Sequence, residues 1–138
     1  MQSPLLGMLI LFILTACNPS ETGNQFNQVV SLKIGEKENI DGDKLIIGFE
    51  EVLEDSRCPS GTECFWEGRA RIVLEIIEDG QAQNLELIKQ AGREELSTDT
   101  LNGKIYELVE LSPYPDVNDE LPIPKERYVA DIVVRLEE

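Results

Sequence analysis

The chain has 138 residues, with 27 Asp and Glu against 12 Lys and Arg and no His, for a formal net charge of −15. So acidic a surface argues against nucleic acid and bare anionic lipid as partners. The lack of His excludes Ser-His-Asp and Cys-His catalysis and removes both the commonest metal ligand and the commonest general base at neutral pH.

The opening stretch MQSPLLGMLILFILTAC is apolar over residues 5–16 apart from Gly7 and Thr15. That length suits the hydrophobic region of a secretory signal and is too short for a bilayer-spanning helix. The run ends Leu14-Thr15-Ala16-Cys17, which resembles the lipobox of bacterial lipoproteins. The resemblance implies cleavage before Cys17, a diacylglycerol thioether on Cys17 and acylation of the new amino group, so that the protein reaches the membrane through its lipid. Asn18 follows, and the sorting rule of some Gram-negative bacteria implies outer-membrane delivery where Asp is absent at that place. Residues 1–16 are thus expected to be removed, leaving 122 of the 138 residues, enough for one domain with its own core. Residues 17–27, the lipidated Cys and the polar NPSETGNQFN, read as a tether, and residues 28–138 as the domain.

From there a two-residue period dominates. Val30, Leu32 and Ile34 alternate with polar neighbours, and IDGD (40–43) signals a turn. Leu45, Ile47 and Phe49 share a face, and the phase break at Glu50-Glu51 predicts a bulge. Trp66, Gly68, Ala70, Ile72, Leu74 and Ile76 form the next face, so that the strand is expected to start at Trp66 with its indole in the core and Gly68 making room for it. EDGQ (78–81) predicts a hairpin turn, followed by a shorter strand with Leu85 and Leu87. Residues 90–103 are polar and read as irregular, with room for one helical turn and a turn at Asn102-Gly103. Tyr106 and Leu108 alternate before a second phase change at Val109 and Leu111. SPYPDVNDELPIP (112–124) carries four prolines and is excluded from a central strand. Tyr128, Ala130, Ile132, Val134 and Leu136 give the clearest alternation, as expected of an internal strand. Six or seven antiparallel strands without a long helix predict an all-β fold, a small antiparallel β-sandwich. An immunoglobulin-like order is one form of it, and a small β-barrel is the alternative.

Lipidation of Cys17 leaves Cys58 and Cys64 as the only pair, in an oxidising compartment. Five intervening residues do not fit a CxxC redox site, and two thiols fall short of the four ligands of zinc. The pair therefore reads as a disulfide tying the tip of a hairpin, with Pro59, Ser60 and Gly61 in the turn. The pattern DSRCP–xxxx–C–x–W–x–G–x–A (Asp55 to Ala70) resembles a motif in a family of bacterial lipoproteins of unknown function, and PYP around Tyr114 and the Tyr128 strand are similar to the end of that domain. The resemblance implies a small β-rich exported domain; it carries over no functional residues.

Asp55, Ser56 and Arg57 have two readings. In one, Asp55 or Ser56 accepts backbone hydrogen bonds and Arg57 pairs with a carboxylate. In the other they are displayed to a partner, together with Phe65 and Tyr114. DVNDE (116–120) starts like a calcium loop, but Leu121 stands where that loop needs Gly and Arg127 where it needs Glu. These acids, like Asp41 and Asp43, read as solvated turn residues. No metal or cofactor is expected. The chain reads as a lipid-anchored envelope domain that binds an envelope or exported protein, or serves structurally, without catalysis. An inhibitor-like module that inserts the Cys58–Cys64 loop into an exported enzyme is one alternative, and a small carboxylate-based hydrolase is the other.

Overall fold

A computed structural model describes residues 23–138. Cys17, the expected lipobox and the first part of the expected tether lie outside the described residues.

Among the described residues, eight strands form two four-stranded sheets. They are β1 (Val29–Lys33), β2 (Lys37–Asn39), β3 (Leu45–Asp55), β4 (Arg69–Glu78), β5 (Gln81–Gln90), β6 (Thr98–Leu101), β7 (Lys104–Ser112) and β8 (Val129–Leu136). One sheet has the order β1-β8-β7-β6 and the other β2-β3-β4-β5. All neighbouring strands are antiparallel. The sandwich is therefore open, not a closed barrel. The chain switches sheets only twice, which differs from the immunoglobulin order, where it alternates between them more often.

The alternation in the sequence becomes the core. Leu45, Ile47 and Phe49 of β3, Ala70, Ile72, Leu74 and Ile76 of β4, and Ala130, Ile132 and Val134 of β8 are almost wholly buried between the sheets. Full burial of such a side chain stabilises by about 1.5–3 kcal/mol for the larger ones. Register breaks occur between Phe49 and Glu51 and between Leu108 and Glu110, at the two phase changes of the sequence. β8 lies between β1 and β7 and has no free edge. The Asp79-Gly80 and Asn102-Gly103 hairpins take positive φ at both central residues, the pairing that two-residue turns need.

Three boundaries differ from the sequence reading. β5 is ten residues long, not short. The polar stretch 90–103 holds, besides the 3₁₀ turn Glu94–Ser97, the strand β6, whose sequence TDTL carries too little apolar alternation to declare itself. The domain also begins before residue 28: Phe26 packs against the core, Gln25 N donates to Ile40 O at 2.9 Å and Asn27 N to Val134 O at 2.9 Å.

The two ends of the sandwich are unlike. At one end lie the chain's entry at Gln25–Asn27, the tight turns and Glu78, whose carboxylate joins the sheets by accepting from Asn102 Nδ2 at 2.7 Å and pairing with Lys104. Lys104 pulls the Glu78 carboxyl below the ordinary range, with Asn102 adding to the effect. At the other end, β3, β7 and β8 meet the loop that carries the disulfide.

Candidate functional site at the disulfide-tied end

The loop of residues 56–68 leaves β3 and returns into β4 through a narrow neck. Ser56 N donates to Arg69 O at 2.8 Å, and Arg69 N donates to Ser56 Oγ at 3.2 Å. Gly68 crosses directly against this neck. A Cβ there would sit 1.6 Å from the Ser56 carbonyl oxygen, so only glycine fits. This close backbone approach, not an indole ring, is what Gly68 accommodates. β4 begins after the crossing, at Arg69, and the inward phase does not extend back to Trp66. Trp66 is 66% exposed and Phe65 fully exposed. The expectation of a core Trp66 is thus corrected: its phase matches the inner face of β4, but at residue 66 the chain lies outside the sheet.

Two links hold the tip. Cys58 and Cys64 are joined by a disulfide with a Cα–Cα distance of 5.9 Å. On the other side the proline-rich segment pairs with the tip: Ser60 N donates to Pro115 O (2.9 Å), Val117 N to Ser60 O (3.1 Å) and Ser60 Oγ to Asp116 Oδ2 (2.7 Å). Asp116 Oδ1 also accepts from Asn118 N at 2.8 Å. Farther along, Arg127 grips Asp119 with two hydrogen bonds of 3.0 and 2.7 Å, which, helped by Glu120 N, hold the Asp119 carboxyl at about 2. Asp116 therefore serves as a turn acceptor and Asp119 as an ion-pair partner for this surface segment.

Beneath the tip lies a buried ion pair. The Asp55 and Arg57 side chains are only 7% and 5% exposed. Arg57 Nε donates to Asp55 Oδ1 (2.8 Å) and Nη2 to Oδ2 (2.7 Å), the bidentate arrangement that suits Arg. The remaining donors cross to the other sheet: Nη1 to Leu111 O at 2.7 Å and Nη2 to Pro113 O at 3.0 Å. Tyr128 Oη donates to Asp55 Oδ2 at 2.9 Å. Burial, and next the bond to Asp55, push the Tyr128 phenol up. The guanidinium carbon lies 4.9 Å from the centroid of the Tyr114 ring, within cation–π range. The pairing expected of Arg57 is found, with Asp55 as the carboxylate. The alternative display of Asp55 and Arg57 to a partner is not what the fold provides, because their charged groups are spent on each other and on the opposite sheet. Ser56, Phe65 and Tyr114 remain accessible, Tyr114 being 51% exposed.

Two clefts flank this clamp. The larger, about 420 Å³, is lined by Trp66, Glu67, Lys89, Glu94, Glu110 and Tyr114 among others. The smaller, about 290 Å³, runs along Leu53, Pro59, Pro115, Leu121, Ile123 and Tyr128. The carboxylates of the larger cleft, Glu67, Glu94 and Glu110, carry no motif in the sequence. They lie on the loop, the 3₁₀ turn after β5 and β7, and nothing in their local context marks them as neighbours. Together the end offers a rigid tip with two exposed aromatic rings beside a cleft, a combination suited to binding.

No protein-family model, curated protein or solved structure matches the chain. The functional reading rests on the sequence motifs and the geometry of this end.

Proposed function

We propose that this protein is a lipid-anchored extracytoplasmic binding domain of the bacterial envelope, tethered through Cys17, which captures an envelope or exported protein with its disulfide-tied end and performs no catalysis. The observation that carries the reading is one of polarity. The chain enters the sandwich at Gln25–Asn27, and Phe65 and Trp66 lie at the opposite end. β7 alone, nine residues, spans roughly 30 Å at about 3.3 Å per residue. A domain anchored at its entry end would hold its aromatic tip away from the lipid, toward soluble or neighbouring proteins. Several acyl chains on Cys17, each buried methylene adding about 0.8 kcal/mol, would make that anchorage firm. Asn18 supports outer-membrane delivery where two membranes exist. Complete exposure of Phe65 on a tied loop also favours a narrower version, an inhibitor-like module that inserts this tip into an exported enzyme.

Two experiments test the reading. Ala16→Asp should leave unprocessed precursor in the membrane fraction, and a normally processed, lipidated product would remove the anchor. With the intact lipoprotein as bait in solubilised membranes, Phe65→Ala and Trp66→Ala should release a partner retained by the unaltered protein while the fold persists. Unchanged retention by both variants would end the proposal.

A further inference from the structure

The larger cleft has an unbalanced charge. Of its two cations, Arg57 is neutralised by Asp55 and Lys89 is paired with Glu94 at 3.2 Å. Glu67 and Glu110 form no ion pair among the described residues, although Glu110 Oε1 accepts from Leu111 N at 3.2 Å. Both line the same 420 Å³ space as the two-thirds exposed ring of Trp66. One face of Tyr114 is already taken by the guanidinium of Arg57, whereas Trp66 makes no such contact among the described residues.

An aromatic face beside two uncompensated carboxylates is the environment that a desolvating ammonium or guanidinium group requires. The volume lies in the range of a small-ligand site, room for one long basic side chain and its adjoining backbone. Phe65, fully exposed and placed in sequence between the cleft-lining Cys64 and Trp66, offers apolar contact beyond what a small amine could cover. A formal charge of −15 steers cations toward this surface and repels acidic chains.

We propose that this cleft receives a Lys or Arg side chain from a basic segment of a protein partner, with Glu67 and Glu110 as its counter-charges and Trp66 as its stacking face. The inference rests on the binding reading above and specifies the chemistry of the partner.

Trp66 is the only tryptophan, so its fluorescence reports on the cleft directly. The probes are a short peptide alternating Lys, Arg and Ala, the same peptide with Glu in place of its bases, and spermidine, each titrated into the full-length lipoprotein in neutral detergent. The basic peptide should give a saturable change that fades with added salt, and the acidic peptide none. The double variant Glu67→Gln/Glu110→Gln should weaken binding about tenfold, the loss expected of two exposed ion pairs. Both residues are exposed, and an unchanged melting curve would show the fold to be retained. Silence toward the basic peptide, an equal response to the acidic one, spermidine binding as tightly as the peptide, or full affinity in the double variant would each overturn the inference. Should the basic peptide fail while Phe65 and Trp66 still govern partner retention, only the cationic specificity falls; loss of both would remove the binding reading as well.

Discussion

Tyr128 and Asp55 are separated by 73 positions in sequence, yet the phenol donates to the carboxylate at 2.9 Å. The contact joins the residue before β8 of one sheet to the end of β3 in the other. With Arg57 reaching Leu111 and Pro113, it makes the DSR sequence a clamp between the sheets. Removing one member of a buried ion pair strands the other without compensation and costs about 3–5 kcal/mol. Arg57→Met and Asp55→Leu should each lower stability by that amount in urea unfolding, and Tyr128→Phe by about 1.5–3 kcal/mol, the worth of a hydrogen bond to a charged group. The Asp55→Leu/Arg57→Met double variant should lose clearly less than the sum of the single losses. An Arg57 variant within about 0.5 kcal/mol of the parent, as an unremarkable surface site would be, would refute the clamp.

Gly68→Ala carries a sharper expectation. Its Cβ would meet the backbone of Ser56, not a flexible side chain, so the neck of the loop must open. A loss of about 3 kcal/mol or more, at the upper end of overpacking costs, should appear in thermal or urea unfolding. A fully stable variant would show that the crossing of residues 56 and 68 is wrong.

The disulfide closes a loop of about seven residues, worth roughly 2.4 kcal/mol in the chain-entropy account. Replacing Cys58 and Cys64 by Ser should lower stability by up to that amount while leaving the β-sheet circular dichroism intact. The sharper effect should be at the tip, where amide exchange around Phe65 and Trp66 rises. Unaltered exchange there would mean that the Ser60–Asp116 bridge alone holds the loop.

Alkaline titration tests the burial of two tyrosines. Desolvation pushes the phenols of Tyr106 and Tyr128 well above their ordinary value of 10.0; the charge of Glu78 adds to the effect at Tyr106 and the bond to Asp55 at Tyr128. A group whose folded-state value is raised contributes stability that is fully present below its free value and is lost as pH rises through the folded value. Stability should therefore fall above about pH 10, and Tyr106→Phe and Tyr128→Phe should each flatten that fall. Tyrosinate absorbance from these two positions should develop together with unfolding. Ordinary titration of both in a protein that is still folded would contradict the packing.

What the sequence discloses follows from the range of the forces involved. β8 and the inner face of β3 are legible because burial repeats every second residue, and the bulges appear as breaks in that repeat. β6 is not legible, since four mostly polar residues acquire strand structure only from the ladder to β7. Trp66 misleads because its phase agrees with Ala70 and Ile72, while the backbone crossing at Gly68 that cancels the agreement depends on Ser56, on the other side of the loop. The Asp55–Arg57 pairing is local and readable. Its partners Leu111, Pro113 and Tyr128 are 54 or more positions away, and the cleft carboxylates are brought together by the whole topology.

The central claim, that the aromatic tip engages a partner away from the membrane, is tested most directly in living cells with a photo-crosslinking amino acid. It would replace Phe65 in the tip and, in a second strain, Asn102 in the turn at the opposite end, where the chain enters the sandwich. A discrete adduct with one envelope or exported protein from position 65, absent from position 102, is the predicted result. No adduct at position 65, or the same adducts from both positions, would contradict the account.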